Sequence, residues 1–177
     1  MTGGLFERAL GEVAFAALPA PVRRLHRGGA FAGEAWIEGA EGWMGASVAR
    51  IAGLPRPGAA VPVRLVIAAD VTGETWIRDF DTHRFASRLM PSAHPGCVVE
   101  KVGPLAVTSV VEASTEGTRQ RVQGWHCLGI PLPGWLAPRA AAVEGVDTAG
   151  RYTFDVALTL PLGLGRITRY RGWLTPA

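Results

Sequence analysis

The spacing of apolar residues changes once along this chain, from a helical period to a period of two. In the N-terminal third, Leu5, Phe6, Ala9, Leu10, Val13, Ala14 and Leu18 recur as one face of a helix. Thr2 offers that helix an N-cap, and Pro19 and Pro21 stop it. A short second helix is expected over Val22 to His26, closed by Gly28-Gly29, where glycine accepts the left-handed ending. Phe31 to Glu38 alternate as a first strand. A third helical stretch, Trp43 to Ile51, puts Met44, Val48 and Ile51 on one side, and Gly53 and Pro55 end it.

From Val61 onward polar and apolar residues alternate. Val61, Val63, Leu65 and Ile67 mark one strand, with a turn at Asp70 to Gly73. Glu74 to Phe80 follows, with Trp76, Arg78 and Phe80 on one face and Thr75, Ile77 and Asp79 on the other. His83 to Met90, Cys97 to Lys101, Leu105 to Ala113 and Thr118 to Leu128 continue the series, the last two as a hairpin around Thr115-Glu116-Gly117. Ile130 to Pro138 carries three prolines and cannot be a central strand. Ala140 to Gly145, Tyr152 to Leu160 and Arg166 to Leu174 complete the set. The fold class is mainly β (α+β), an antiparallel β-barrel or strongly bent sheet of roughly nine to ten strands with two or three N-terminal helices. A sandwich is the competing architecture. The whole chain, 1–177, reads as one domain, with a helical cap over about 3–54 and strands over about 61–175.

Composition narrows the function classes. Net charge is +3, but acids and bases interleave and no basic run forms, so the footprint expected for nucleic acid is missing. Lys101 is the only lysine among 18 basic residues, a bias that points to a GC-rich bacterial coding sequence. Cys97 and Cys127 read as small apolar residues on or near strands. Glu7, Arg8 and Glu12 interrupt the first apolar stretch, unlike a signal peptide, and no apolar run approaches the ~18 residues of a transmembrane segment. A soluble cytoplasmic protein is expected.

Arginine beside aromatic residues is the main chemical clue. In Trp76-x-Arg78-x-Phe80, an arginine flanked by aromatics could hold the carboxylate or phosphate of an apolar ligand. The alternative is an exposed arginine whose stem covers its neighbours. In the last strand, Ile167, Arg169, Arg171 and Trp173 share one face and Tyr170 and Leu174 the other. If the first face is inside, the arginines need Glu100, Glu112 or Asp155 as partners; if Tyr170 is inside, they are solvated. The second arrangement avoids burying two charges. Glu100 is the one acid in Val98-Val99-Glu100-Lys101-Val102 and is a candidate acid or base, or a partner for an arginine. In Trp125-His126-Cys127, adjacent His and Cys point to opposite faces and cannot act as a nucleophile–base pair. The four histidines lack spaced companions, so no metal site is expected, and Gly163-x-Gly165 precedes no helix, so no cofactor is implied. The apolar loop Leu128 to Leu136 is expected to pack down as a lid over one end of the barrel; the alternative is that it touches a membrane surface or a partner domain.

Several segments resemble a bacterial family, the domain of unknown function 4166. They are Arg8-Ala9-Leu10-Gly11, Val22 to Gly28, Trp76-Ile77-Arg78-Asp79-Phe80, Phe85-Ala86-Ser87-Arg88, Glu100 to Leu105, Gly129 to Pro138 and Tyr170 to Pro176. Members of that family stand alone or follow nicotinamide-cofactor oxidoreductase-like domains, so the resemblance implies an oxidoreductase partner but no activity and no site residues. Three functions are therefore weighed. The first is a non-enzymatic barrel binding a small apolar or amphipathic ligand with an anionic group, using Trp76, Arg78, Phe80, Arg88, Glu100, Arg169 and Tyr170. The second is an accessory domain for a nicotinamide-dependent oxidoreductase. The third is an enzyme using Glu100 or His126 with an arginine.

Overall fold

In the computed structural model, which describes residues 3–177, the alternating positions fall on two faces of one sheet, and that sheet closes. Thr2, the expected N-cap, lies outside the described residues. Three short helices come first: α1 (Leu5–Leu10), α2 (Glu12–Ala17) and α3 (Ala20–His26). They lead into β1 (Gly29–Glu38), α4 (Gly42–Ile51), β2 (Gly58–Asp70), β3 (Gly73–Phe80), β4 (His83–Pro91), β5 (Cys97–Val102) and β6 (Leu105–Ser114). Then follow β7 (Gly117–Cys127), β8 (Ile130–Pro131), β9 (Arg139–Val146), β10 (Tyr152–Thr159) and β11 (Arg166–Pro176).

Neighbouring strands pair in the order β6-β5-β4-β3-β2-β1-β11-β10-β9-β7, all antiparallel, and β6 pairs with β7 to close a ten-stranded barrel. The expectation of a barrel is met, and closure leaves no long open edge. One seam is weaker. β7 meets β9 only through Thr118–Arg121 and Ala141–Glu144; below that its partner is the two-residue β8.

The helices hold the two ends differently. α1 to α3 cover the upper end, where Leu5, Phe6, Phe15, Leu18, Val22 and Leu25 pack onto Trp76, Leu89, Val98, Val111 and Tyr152. Burial of each large apolar side chain is worth about 1.5–3 kcal/mol. The single helix expected here is two, because Gly11 adopts φ +82° between them. The break turns Val13 out to solvent and Phe15 into the core. α4 joins β1 to β2 at the lower end, with buried Gly45 against β11 at the Arg166 carbonyl. The 128–138 loop is not a lid: Leu128, Ile130, Trp135 and Leu136 are exposed, and Leu132 N–H donates to the Trp125 carbonyl (2.8 Å) beside the weak seam. Cys97 and Cys127 are free and lie at opposite ends of the barrel.

Candidate functional site

Alternation along β3 aims Glu74, Trp76, Arg78 and Phe80 into the barrel. Arg78 is the basic member of this row, its side chain only 16% exposed. Its guanidinium lies 4.9 Å from the Trp76 ring centroid and 5.6 Å from that of Phe85. Nη1 donates to Ser87 Oγ at 2.8 Å. From β5, the next strand but one, Glu100 Oε1 stands 3.6 Å from Nη2, too far for a direct hydrogen bond. The guanidinium is therefore gripped on its faces and one edge while its charge is only loosely matched.

This pair sits where two adjoining cavities meet, of about 100 and 120 Å³. Glu100, Gln120, Ala142, Val156 and Tyr170 line both. The upper cavity is walled by Trp76, Phe80, Leu89, Tyr152, Phe154 and Leu174; the lower reaches Ala52, Leu54, Val102, Leu105, Trp125 and Leu158 near the rim. Burial pushes the Tyr170 hydroxyl up to about 12, so it is a hydrogen-bond donor at neutral pH. Trp125 brings a buried indole N–H with no partner among the described residues. The lumen thus presents donors from Arg78, Tyr170 and Trp125 and an acceptor at Glu100, within apolar walls. Chemically, such a lining is able to hold and orient a polar head group. Among the described residues no three His, Cys, Asp or Glu side chains gather as metal ligands.

A second polar group closes the upper end. His26 Nε2 and Glu144 Oε2 are 2.7 Å apart, both buried, and Thr118 Oγ1 donates to the same oxygen. Phe6 stacks on the His26 ring with centroids 3.7 Å apart. Glu74 accepts from Leu5 N–H (2.8 Å) and from Trp76 Nε1 (3.0 Å), tying α1 to the wall of the cavity. Burial alone would raise the Glu144 carboxyl, but the charge of His26 and hydrogen bonds from His26, Thr118 and Tyr152 hold it below the usual carboxylate range. Burial first, and then Glu144, pushes Tyr152 well above the usual phenol range.

A pH dependence follows. A carboxylate whose folded-state pKa is depressed stabilises above its unfolded value and loses that stabilisation as pH falls through the folded value. Glu144 therefore makes the protein lose stability on acidification below about pH 4.5. The raised tyrosines act oppositely, withdrawing stability above about pH 10. Urea midpoints between pH 3 and 7 should fall less steeply in Glu144→Gln; an unchanged slope would contradict the assignment.

The sequence candidates separate into two groups. Trp76, Arg78, Phe80, Glu100 and Tyr170 meet in the lumen. Arg88 and Arg169 lie on the outer face. Arg88 binds Asp70 (2.6 Å) and Thr75 (2.9 Å), and Arg169 grips Asp155 through Nε (2.9 Å) and Nη2 (2.6 Å). Tyr170 points inward, which leaves Arg169 and Arg171 solvated. His126 does not line the cavity with Glu100. The sequence reading missed Glu74, Glu144, His26 and Ser87. Glu74 and Glu144 were detectable, because each stands in phase with an inward apolar row.

Wider hollows lie outside the barrel. One of about 1030 Å³ runs over β1, β11 and β10 past Trp36, Trp173 and Arg171. It is broad and open to solvent, unlike the lumen.

Comparison with known proteins gives one family. The model described as "Domain of unknown function (DUF4166)" matches residues 18–174, nearly the whole chain. No curated protein and no solved structure matches.

Proposed function

We infer, for a chain that belongs to the domain of unknown function 4166 family, that the barrel binds a small, largely apolar ligand carrying one carboxylate-like head group. The observation that carries this reading is the Arg78–Glu100 pair, 3.6 Å apart inside the barrel at the junction of two apolar cavities. A 150 Å³ apolar cavity accepts benzene; the two adjoining cavities, of about 100 and 120 Å³, together exceed that and suit a ring-sized group or a run of methylenes spanning both. An arginine already held by two rings and Ser87 loses little freedom on binding. Glu100 tempers the preference: it opposes a full anion and favours an acid that shares its proton or also donates.

Decanoate, titrated against tryptophan fluorescence or heat, tests the reading, with 1-decanol as the uncharged control. Decanoate should bind, and decanol more weakly. Arg78→Leu removes a charge-assisted hydrogen bond and should weaken decanoate about 10- to 100-fold. Glu100→Gln should tighten it. Equal binding of acid and alcohol, or an Arg78→Leu variant that is folded and binds decanoate normally, would refute the proposal.

A further inference from the structure

At the lower rim, the β3–β4 and β5–β6 connections are tight turns at Asp81-Thr82 and Gly103-Pro104. The other three are long, and strand order makes them neighbours: α4 between β1 and β2, residues 160–165 between β10 and β11, and 128–138 between β7 and β9. All three present large apolar side chains to solvent. Trp43 is 77% exposed and Trp135 66%, and Ile51, Leu128, Leu136 and Leu162 are exposed with them. Scattered single exposures need no explanation, but this arc borders the end of the barrel reached by the lower cavity.

Charge on the same arc is lopsided. Arg50, Arg56 and Arg139 are exposed and form no ion pair among the described residues. The acids there, Glu38 and Glu41, share one cation, Arg166, at 3.0 and 3.3 Å, so Arg50, Arg56, Arg139 and Arg166 stand against two glutamates, and the exposed Asp81 lies on the adjoining β3–β4 turn. The arc therefore combines exposed tryptophan and leucine with uncompensated arginine. That combination fits the boundary between acyl chains and anionic headgroups, where indole rings settle and each basic residue adds attraction.

We propose that the lower rim docks on an anionic lipid surface, through Trp43, Trp135 and their apolar neighbours with Arg50, Arg56 and Arg139 around them. The docking face stands on exposure and charge. That it turns the cavity mouth toward a source of amphipathic ligand rests on the binding reading above.

Flotation with phosphatidylcholine vesicles, with and without an equal part of phosphatidylglycerol, tests it on the full chain. Binding to the anionic vesicles is expected, weakening as salt is raised. Trp43→Ser with Trp135→Ser should reduce binding at least tenfold. Arg50→Glu, Arg56→Glu and Arg139→Glu together should reduce it about 100-fold or more, since each arginine is worth about fivefold. These side chains are exposed, so the melting temperature should hold, which separates lost docking from lost fold. Absence of binding to anionic vesicles, or equal binding to both kinds, overturns the proposal. So does a dimer in sedimentation that the two tryptophan changes abolish, because a second copy would then cover the arc. Arg78→Leu should leave flotation unchanged. Flotation without decanoate binding would sink the cavity reading and leave the docking face standing.

Discussion

Glu144→Ala should lower the unfolding free energy by about 3–5 kcal/mol, because it strands a buried partner instead of removing a pair. His26 is 1% exposed, stacks under Phe6 and faces Glu144 across 118 residues of sequence. Removing the carboxylate leaves the His26 ring, the Thr118 hydroxyl and the Tyr152 phenol without their common acceptor in a site that water does not reach. Glu144→Gln keeps the shape and one acceptor oxygen and should cost less, about 1–3 kcal/mol. Urea unfolding at pH 7 measures both. The loss should also loosen α1 to α3, because His26 ends α3 and the pair fastens the cap to β9. Hydrogen exchange would then quicken first at Leu25 and Leu5, ahead of the barrel strands. A Glu144→Ala protein within 1 kcal/mol of the parent, on the scale of an ordinary surface change, would show that the pair has no structural role.

Much of the barrel is readable from alternation, since inward positions of β2, β3 and β10 are in strict phase and a slip would turn all of them out. The helical segment is less so. The apolar face of the first stretch continues past Gly11, and the positive φ of that residue ends α1 there. β11 shows a different obstacle. Its pairing with β10 slips between Leu158 and Thr159, so Ile167 and Thr168 are both buried, and phase read from Ile167 would place Arg169 and Arg171 inside. Tyr170 and Leu174 carry the true phase. Within the site, β3 supplied Trp76, Arg78 and Phe80 as a run of one strand face, which sequence exposes. The partners of that run came from β4, β5 and the α3 end, and their approach depends on barrel closure. Arg88 and Arg169 resembled Arg78 in type but lie out of phase with the inward rows.

Gly172→Val should severely damage the barrel wall, with an expected loss of about 4 kcal/mol or more and little folded protein recovered. Gly172 lies opposite Ala35 on β1 and Phe154 on β10. A Cβ there would overlap the Glu34 carbonyl oxygen and come within 2.9 Å of both the Ala35 Cα and the Phe154 ring. Two of those obstacles are backbone, which cannot move without opening the β1–β11 ladder. The contacts belong to Cβ itself, so Gly172→Ala should keep most of the effect. Gly33, two residues before Ala35, is equally closed by the Trp173 carbonyl, so the β1–β11 ladder leaves no room for a Cβ at either position. Gly134 has nothing within 4 Å of the corresponding position, and Gly134→Ala should stay within about 0.5 kcal/mol of the parent. The consequence reaches the site, because Phe154 is pressed between Gly172 and the upper cavity. A Gly172→Ala variant that does fold should have its Phe154 ring pushed into that cavity and bind decanoate more weakly. Wild-type melting and wild-type binding in Gly172→Ala together would show that the wall at β1 and β11 has room to spare.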